Sequence, residues 1–284
     1  LAAWIEKRRQ IRQRWQQDAR AMIVKHGHHA YYEAQRLAAR CRAQGNGSEF
    51  WHWAKVASEV ARLSPDAEMD MKVVQAIAAL KAKGLAVIPI TGRPVGWSLP
   101  FAQAWPVDAI VAENGAVALR RNASGGLDKL YQQDEATRTA NFAKMQAVLA
   151  QIEQTLPGAQ RATDSAGREC DIAVDHSEFR QMPQAQIDQC VALMQAAGMN
   201  ATVSSIHING WFGGHNKLEG ARWIVQTLFG RDLDAEIGQW CYIGDSTNDQ
   251  LMFQHFENSF GVANIERFVP QLQHLPRFVT RGER

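Results

Sequence analysis

Residues 240–249 read WCYIGDSTND, an apolar run of strand length that passes through Gly244 into a turn bearing Asp245 and Asp249. A short, continuously apolar strand is one covered on both faces, as in parallel sheets flanked by helices. Ligands of open α/β sheets gather just beyond the carboxyl ends of such strands. Two carboxylates at that place offer the hard oxygen ligands that magnesium prefers.

The same texture extends outward. Downstream, DQLMFQHF is helical, SFGVA is strand-like, and RFVT is a further strand. Upstream, KLEGARWIVQTLF (217–229) is a helix that Lys217 opens, which sets a positive charge where an anion would sit. Further upstream, Val73, Val74, Ile77 and Leu80 form a helical stripe that Gly84 can end. LAVIPIT (85–91) and AIVAEN (109–114) follow as strands. Thr91 and Arg93 lie just past the first of these, where a hydroxyl and backbone amides suit a phosphate oxygen. Between the two halves, residues 118–212 carry helical patterns at 135–155 and 184–197. Their strand candidates, CDIAVDH and ATVSSIHINGWF, alternate enough to predict a half-exposed antiparallel sheet. The expected fold is α/β: a Rossmann-like parallel sheet interrupted by a small α+β cap.

These residues, in this order, resemble the haloacid dehalogenase superfamily, specifically the Cof-like phosphatases with an α/β cap, a group that includes the mannosyl-3-phosphoglycerate phosphatases. ITGRP resembles the family's second motif, Asn216-Lys217 its third and GDSTND its fourth, while VAENGA (111–116) resembles the strand end that leads into the cap. The resemblance covers residues 66–280 and implies a magnesium-dependent phosphomonoester hydrolase acting on a small phosphorylated metabolite such as a sugar phosphate. By that likeness Thr91 binds the transferring phosphoryl group and Lys217 stabilises its charge. Asp245 binds Mg2+, Asp249 supports the metal shell or orients Lys217, and Asn248 holds the loop beside them. Arg93, Asn114, Asn209, His215 and Asn216, with His207, become candidates for contacting substrate. The implied domains are a helical segment at 1–63, core at 64–117, cap at 118–212 and core again at 213–284.

One element of the family is missing. Its chemistry begins on an apolar strand ending in Asp-x-Asp, one βα unit ahead of the second motif, where the first aspartate attacks phosphorus. Here that region reads FWHWAKVASEVARLSPDAEMDMKVV (50–74), a helical pattern followed by a turn. Asp66 and Asp70 stand four apart at the start of a helix, where the helix dipole favours carboxylates. AMIV (21–24) is strand-like but is followed by Lys25. The missing strand belongs near the middle of the sheet, so both neighbours would keep unpaired backbone groups. The expected function is therefore an impaired phosphatase, or else an inactive phosphate-binding or interaction protein. The family also continues past RFVT into a final helix.

Residues 1–63 read differently, as three short helices with no strand, and faintly resemble small helical bacterial proteins of unknown function. They hold 12 Lys/Arg against 5 Asp/Glu, whereas the remainder holds 19 against 24. EKRRQIRQRW (6–15) is expected to be a solvated helix face rather than a nucleic-acid contact, and HGHH (26–29) lacks the partnering acid or cysteine of a metal site. Cys41, Cys170, Cys190 and Cys241 are widely spaced. They predict buried free thiols in a reducing, cytoplasmic setting. No secretory leader is visible, and no apolar run approaches the roughly 20 residues of a membrane helix.

Overall fold

The computed structural model describes residues 2–26, 30–63 and 65–281. They form two compact units, Leu1–Leu85 and Ala86–Arg284. Among these residues no helix is long and apolar enough to cross a membrane.

The first unit is helical: α1 (Ala2–His26), α2 (Ala30–Ala43), α3 (Gly47–Leu63) and α4 (Pro65–Ala82). Its core is built on small residues, Ala19, Ala30, Ala34 and Ala57, with Met22, Val56 and Val60 between them and Trp15, Leu37 and Trp53 at the margin. His52 is buried and bonds to Asp18 at 2.9 Å. Residues 9–14 are exposed throughout, and Arg14 reaches Asp18 and Glu49 at 3.8 Å each. Of HGHH, residues 27–29 lie outside the described residues. Asp66 and Asp70 fall within α4. That helix ends at Gly84, whose φ of 77° lets its N–H reach Lys81 O while Leu85 N–H reaches Leu80 O. This paired closure is the one a left-handed glycine permits.

The second unit begins with an extended segment, 86–91, then α5 (Val95–Ala104), β1 (Ile110–Ala112), β2 (Val117–Arg121) and β3 (Leu127–Tyr131). There follow α6 (Glu135–Thr155), β4 (Ile172–Asp175), α7 (Gln184–Ala196), β5 (Asn200–Val203) and β6 (His207–Trp211). The chain continues through α8 (Lys217–Phe229), β7 (Cys241–Gly244), α9 (Gln250–His255), β8 (Asn258–Gly261) and β9 (Phe278–Val279). Strands pair in the orders β1-β2-β3, β4-β6-β5 and β7-β8-β9; the first two sheets are antiparallel and the last is parallel.

The fold is α/β as expected, with two corrections of detail. ATVSSIHINGWF is a hairpin of two strands, β5 and β6, and β4 and β6 are buried along their whole length rather than half exposed. One face of this sheet packs Ile172, Val174 and Ile208 on Met145, Leu149 and Met194 beneath α6 and α7. The alternating residues Asp175, His207 and Asn209 are also buried, among polar partners. The alternation in sequence therefore separates apolar from polar neighbours instead of protein from water.

The second correction concerns LAVIPIT. It is extended but not a regular strand; only Ile90 bridges Val111, in parallel. Backbone bonds run from Thr91 N to Val111 O (2.9 Å), from Val111 N to Pro89 O (2.8 Å) and from Asp108 N to Val87 O (3.0 Å). Pro89 has no N–H to give, and among the described residues no strand lies on the segment's other side. The expected single sheet thus comes in two pieces, 86–91 with β1, and β7-β8-β9. Ile88 and Ile90 from the first piece, and Trp240 and Tyr242 from the second, pack against one apolar cluster containing Leu218, Ala221 and Val225 of α8. On β7, Ile243 is 63% exposed. Cys241 is exposed too and Cys41 half-buried, so only Cys170 and Cys190 match the expected buried thiols; all four are free.

Candidate functional site

The rim that the sequence reading anticipates is assembled contact by contact around the N-terminus of α8. Asn114 donates its backbone N–H to Thr91 O (3.0 Å), and the Thr91 hydroxyl oxygen accepts from Arg93 N (3.1 Å). The next residue, Gly115, has φ of 110° and lies so close to α8 that a Cβ there would stand 2.2 Å from Asn216 O. Asn216 caps α8, its Oδ1 accepting from Leu218 N (2.9 Å) and Glu219 N (3.0 Å). Lys217, the first residue of the helix, sends its Nζ to Asp249 Oδ1 (2.5 Å) and Asn248 Oδ1 (3.2 Å). Thr91, Asn114, Asn216, Lys217, Asn248, Asp249 and Asp245 therefore share one rim.

Asp249 organises its far side. Besides Lys217, Oδ1 accepts from Tyr242 OH (2.6 Å), and Oδ2 accepts from the backbone N–H groups of Asp245 (2.8 Å) and Ser246 (3.1 Å). Burial opposes its charge, but Lys217, Tyr242 and the amides hold its carboxyl below the usual range. Gly244 must be glycine, since a Cβ there would stand 2.7 Å from Asp249 Cγ. Both Asp249 oxygens are thus engaged, one of them by the Lys217 ammonium. Asn248 Oδ1 likewise takes the Ser246 hydroxyl (2.7 Å) as well as Lys217. Asp245 Oδ2 accepts from Asn264 Nδ2 (3.3 Å). Among the described residues no three His, Cys, Asp or Glu side chains are grouped to hold a metal. Magnesium takes about six oxygens in near-octahedral array; the donor set here does not by itself fit it.

The other candidates face the cap. Arg93 pairs with Glu178 (3.1 Å) and Asp164 (3.3 Å). Asn209 and Asn114 both donate to Asp171 Oδ2, at 3.0 and 3.4 Å. His207 bonds Glu178 at 2.7 Å. His215 is a packing residue: its ring stacks on Trp211, its Nε2 is buried without a partner, and burial pushes its pKa down to about 4.

Sequence reasoning missed the charged core that joins these groups. Arg168, fully buried, reaches Asp171 (2.7 Å), Asp164 (3.1 Å) and Gly92 O (3.1 Å). Glu113 accepts from the backbone N–H groups of Val95, Glu169, Cys170 and Asp171. Burial and the neighbouring Asp171 push its pKa up to about 8, against those amides and Arg168. One signal was present: Glu113-Asn114-Gly115 breaks an apolar run with acid, amide and glycine, and all three adopt positive φ.

This α/β fold with an inserted cap matches that of known phosphatases. Residues 63–156 match the family model of haloacid dehalogenase-like hydrolases. Among solved structures, Thermoplasma acidophilum 0175 is 17% identical, with 75% of this chain and 84% of that one covered, at a TM-score of 0.56. The sucrose-phosphatase of Synechocystis sp. PCC6803, determined with sucrose and phosphate, is 16% identical over 75% of this chain and 85% of its own, at 0.55. The sugar phosphatase BT4131, of haloacid dehalogenase subclass IIB, is 15% identical over 73% and 84%, at 0.50. No curated protein matches the sequence. The resemblance drawn from the motifs holds: the chain has a haloacid dehalogenase-like fold.

Proposed function

We propose that this chain is a phosphatase-type scaffold that binds a small phosphorylated metabolite, such as a sugar phosphate, and turns it over at or near background. The observation that carries this reading is Lys217: an ammonium fixed at the first residue of α8 by Asp249 and Asn248, on the rim that also bears Thr91. An anion there would accept from the Thr91 hydroxyl and lie against the Lys217 charge and the helix N-terminus. Low turnover follows from the two-piece sheet, since among the described residues no strand stands between 86–91 and β7 to bear an attacking carboxylate. Without that nucleophile the covalent route is closed.

Calorimetry with inorganic phosphate and glucose 6-phosphate, with and without Mg2+, tests the binding. The expected Kd is about 1 mM, or roughly −4 kcal/mol, and Lys217→Met should weaken it at least ~10-fold, a loss of about 1.4 kcal/mol. Hydrolysis of p-nitrophenyl phosphate should stay at background. Robust magnesium-dependent hydrolysis abolished by Asp245→Asn would mean an active enzyme, and absence of heat with either ligand would remove the anion site.

A further inference from the structure

Beside the charged core, and sharing no residue with the rim, the second unit carries an open cavity of about 300 Å3 lined by Arg138, Thr139, Phe142, Arg168 and Glu169. That volume stands at the lower end of small-molecule pockets, so it suits a compact molecule rather than a polypeptide. Arg138 and Phe142 are four apart on α6 and therefore project from one face of it. Phe142, 37% exposed, offers an apolar ring to an occupant.

The charges on the walls decide what the cavity can take. Glu169 is answered by Lys129 (2.5 Å) and by the Tyr131 hydroxyl (2.5 Å). Arg168 is engaged by Asp164, Asp171 and the Gly92 carbonyl. Arg138 is different. Its guanidinium lies over the Tyr131 ring, 3.5 Å from the centroid, and its Nε is buried without an acceptor. Among the described residues its side chain forms no ion pair and no hydrogen bond. A guanidinium in open water needs no partner. This one is held by the ring and its Nε is closed to water, so its remaining N–H groups form a preset fork.

We propose that this cavity binds a compact monocarboxylate with an apolar body, whose carboxylate accepts from the Arg138 Nη groups while the body packs on Phe142. Arginine recognises planar carboxylates through paired N–H bonds. One cation is unanswered here, and Glu169 stands on the same wall. A phosphoryl dianion would keep a negative charge without a partner, which favours the singly charged ligand. The site goes beyond anion binding at the rim, since neither Thr91 nor Lys217 lines it.

The probe is para-fluorophenylacetate, followed by fluorine NMR line broadening with the full chain; para-fluorophenylacetamide, of the same shape and no charge, is the control. The expected Kd is about 1 mM, with the amide weaker by at least ~10-fold. Arg138→Met should weaken binding of the acid at least ~10-fold, and Phe142→Ser about 3-fold or more, while circular dichroism stays unchanged. Phe142 is partly exposed, so its variant decides the matter should Arg138→Met not fold. Lys217→Met, which disables the rim, should bind the acid as the wild type does. Equal binding of the amide, full affinity in either folded variant, loss of binding in Lys217→Met, or no broadening by the acid would overturn the proposal. Phosphate calorimetry at the rim reads neither Arg138 nor Phe142, so the two sites stand or fall separately.

Discussion

Asp249 receives four donors: the Lys217 ammonium, the Tyr242 hydroxyl and two loop amides. Truncation to alanine leaves a nearly buried Lys217 and a phenol without their partner, and removing one member of a buried pair costs about 3–5 kcal/mol. Urea unfolding at pH 7 should show Asp249→Ala destabilised by about 3 kcal/mol. Because the folded carboxyl titrates below its unfolded value of about 3.9, this stability is present above that pH and is lost as pH falls through the folded value. The deficit of the variant should therefore shrink in acid. His215 titrates over a different window. Its folded pKa of about 4 lies below the unfolded value of about 6.5, so the neutral ring is fully accommodated above pH 6.5 and opposes folding increasingly as pH falls towards 4. At pH 5 the linkage amounts to about 2 kcal/mol. His215→Phe should flatten the stability profile between pH 7 and 5; a profile unchanged from wild type would show that another group sets that limb.

Elements were legible where local pattern and tertiary partners agree. The helical stripe at 217–229 becomes α8, capped by Asn216, and the pattern at 135–155 becomes α6, capped by Asp134. LAVIPIT has the composition of a strand, but composition does not supply the neighbour that would complete its ladder, and the segment is extended with one bridge. The β2-β3 hairpin went unread although Asn122 signals its turn, with Oδ1 accepting from Ser124 Oγ and Gly126 N. Two predictions belong at this scale. Gly115→Ala puts a methyl 2.2 Å from Asn216 O at a φ that disfavours side chains, so it should cost about 3 kcal/mol or more by thermal or urea unfolding. Ile243→Lys, at a position that would be interior in a completed sheet, should change stability by no more than about 0.5 kcal/mol. A loss of several kcal/mol there would mean that this face of β7 is covered in solution.

Across the second unit, the rim was largely visible from sequence because each of its residues sits at the end of its own strand or helix. The charged core between sheet and cap was not, since its partners lie far apart in the chain: Glu113 with Asp171, Arg93 with Glu178, Gly92 with Arg168. No local period encodes such pairs; they emerge only when the cap folds back on the strand ends. Arg168 is the member on which the rest depend, because two carboxylates, Asp164 and Asp171, and the Gly92 carbonyl all accept from it. Arg168→Met keeps much of the side-chain volume but leaves buried Asp171 without its cation and Asp164 with Arg93 alone, which should cost about 3–5 kcal/mol. Arg93→Met, at a pair less deeply buried than that of Arg168, should cost less than Arg168→Met. The signs of the acid groups separate this from simple loss of packing. Burial raises the Asp171 carboxyl, whereas Asp164, despite burial, is held low chiefly by Arg168. Without the guanidinium both should titrate higher, so the Arg168→Met deficit, measured by urea unfolding from pH 8 to pH 4, should narrow as the acids take up protons. A deficit independent of pH would assign the role of Arg168 to packing, and the tie between cap and strand ends would then rest on the amides gathered by Glu113.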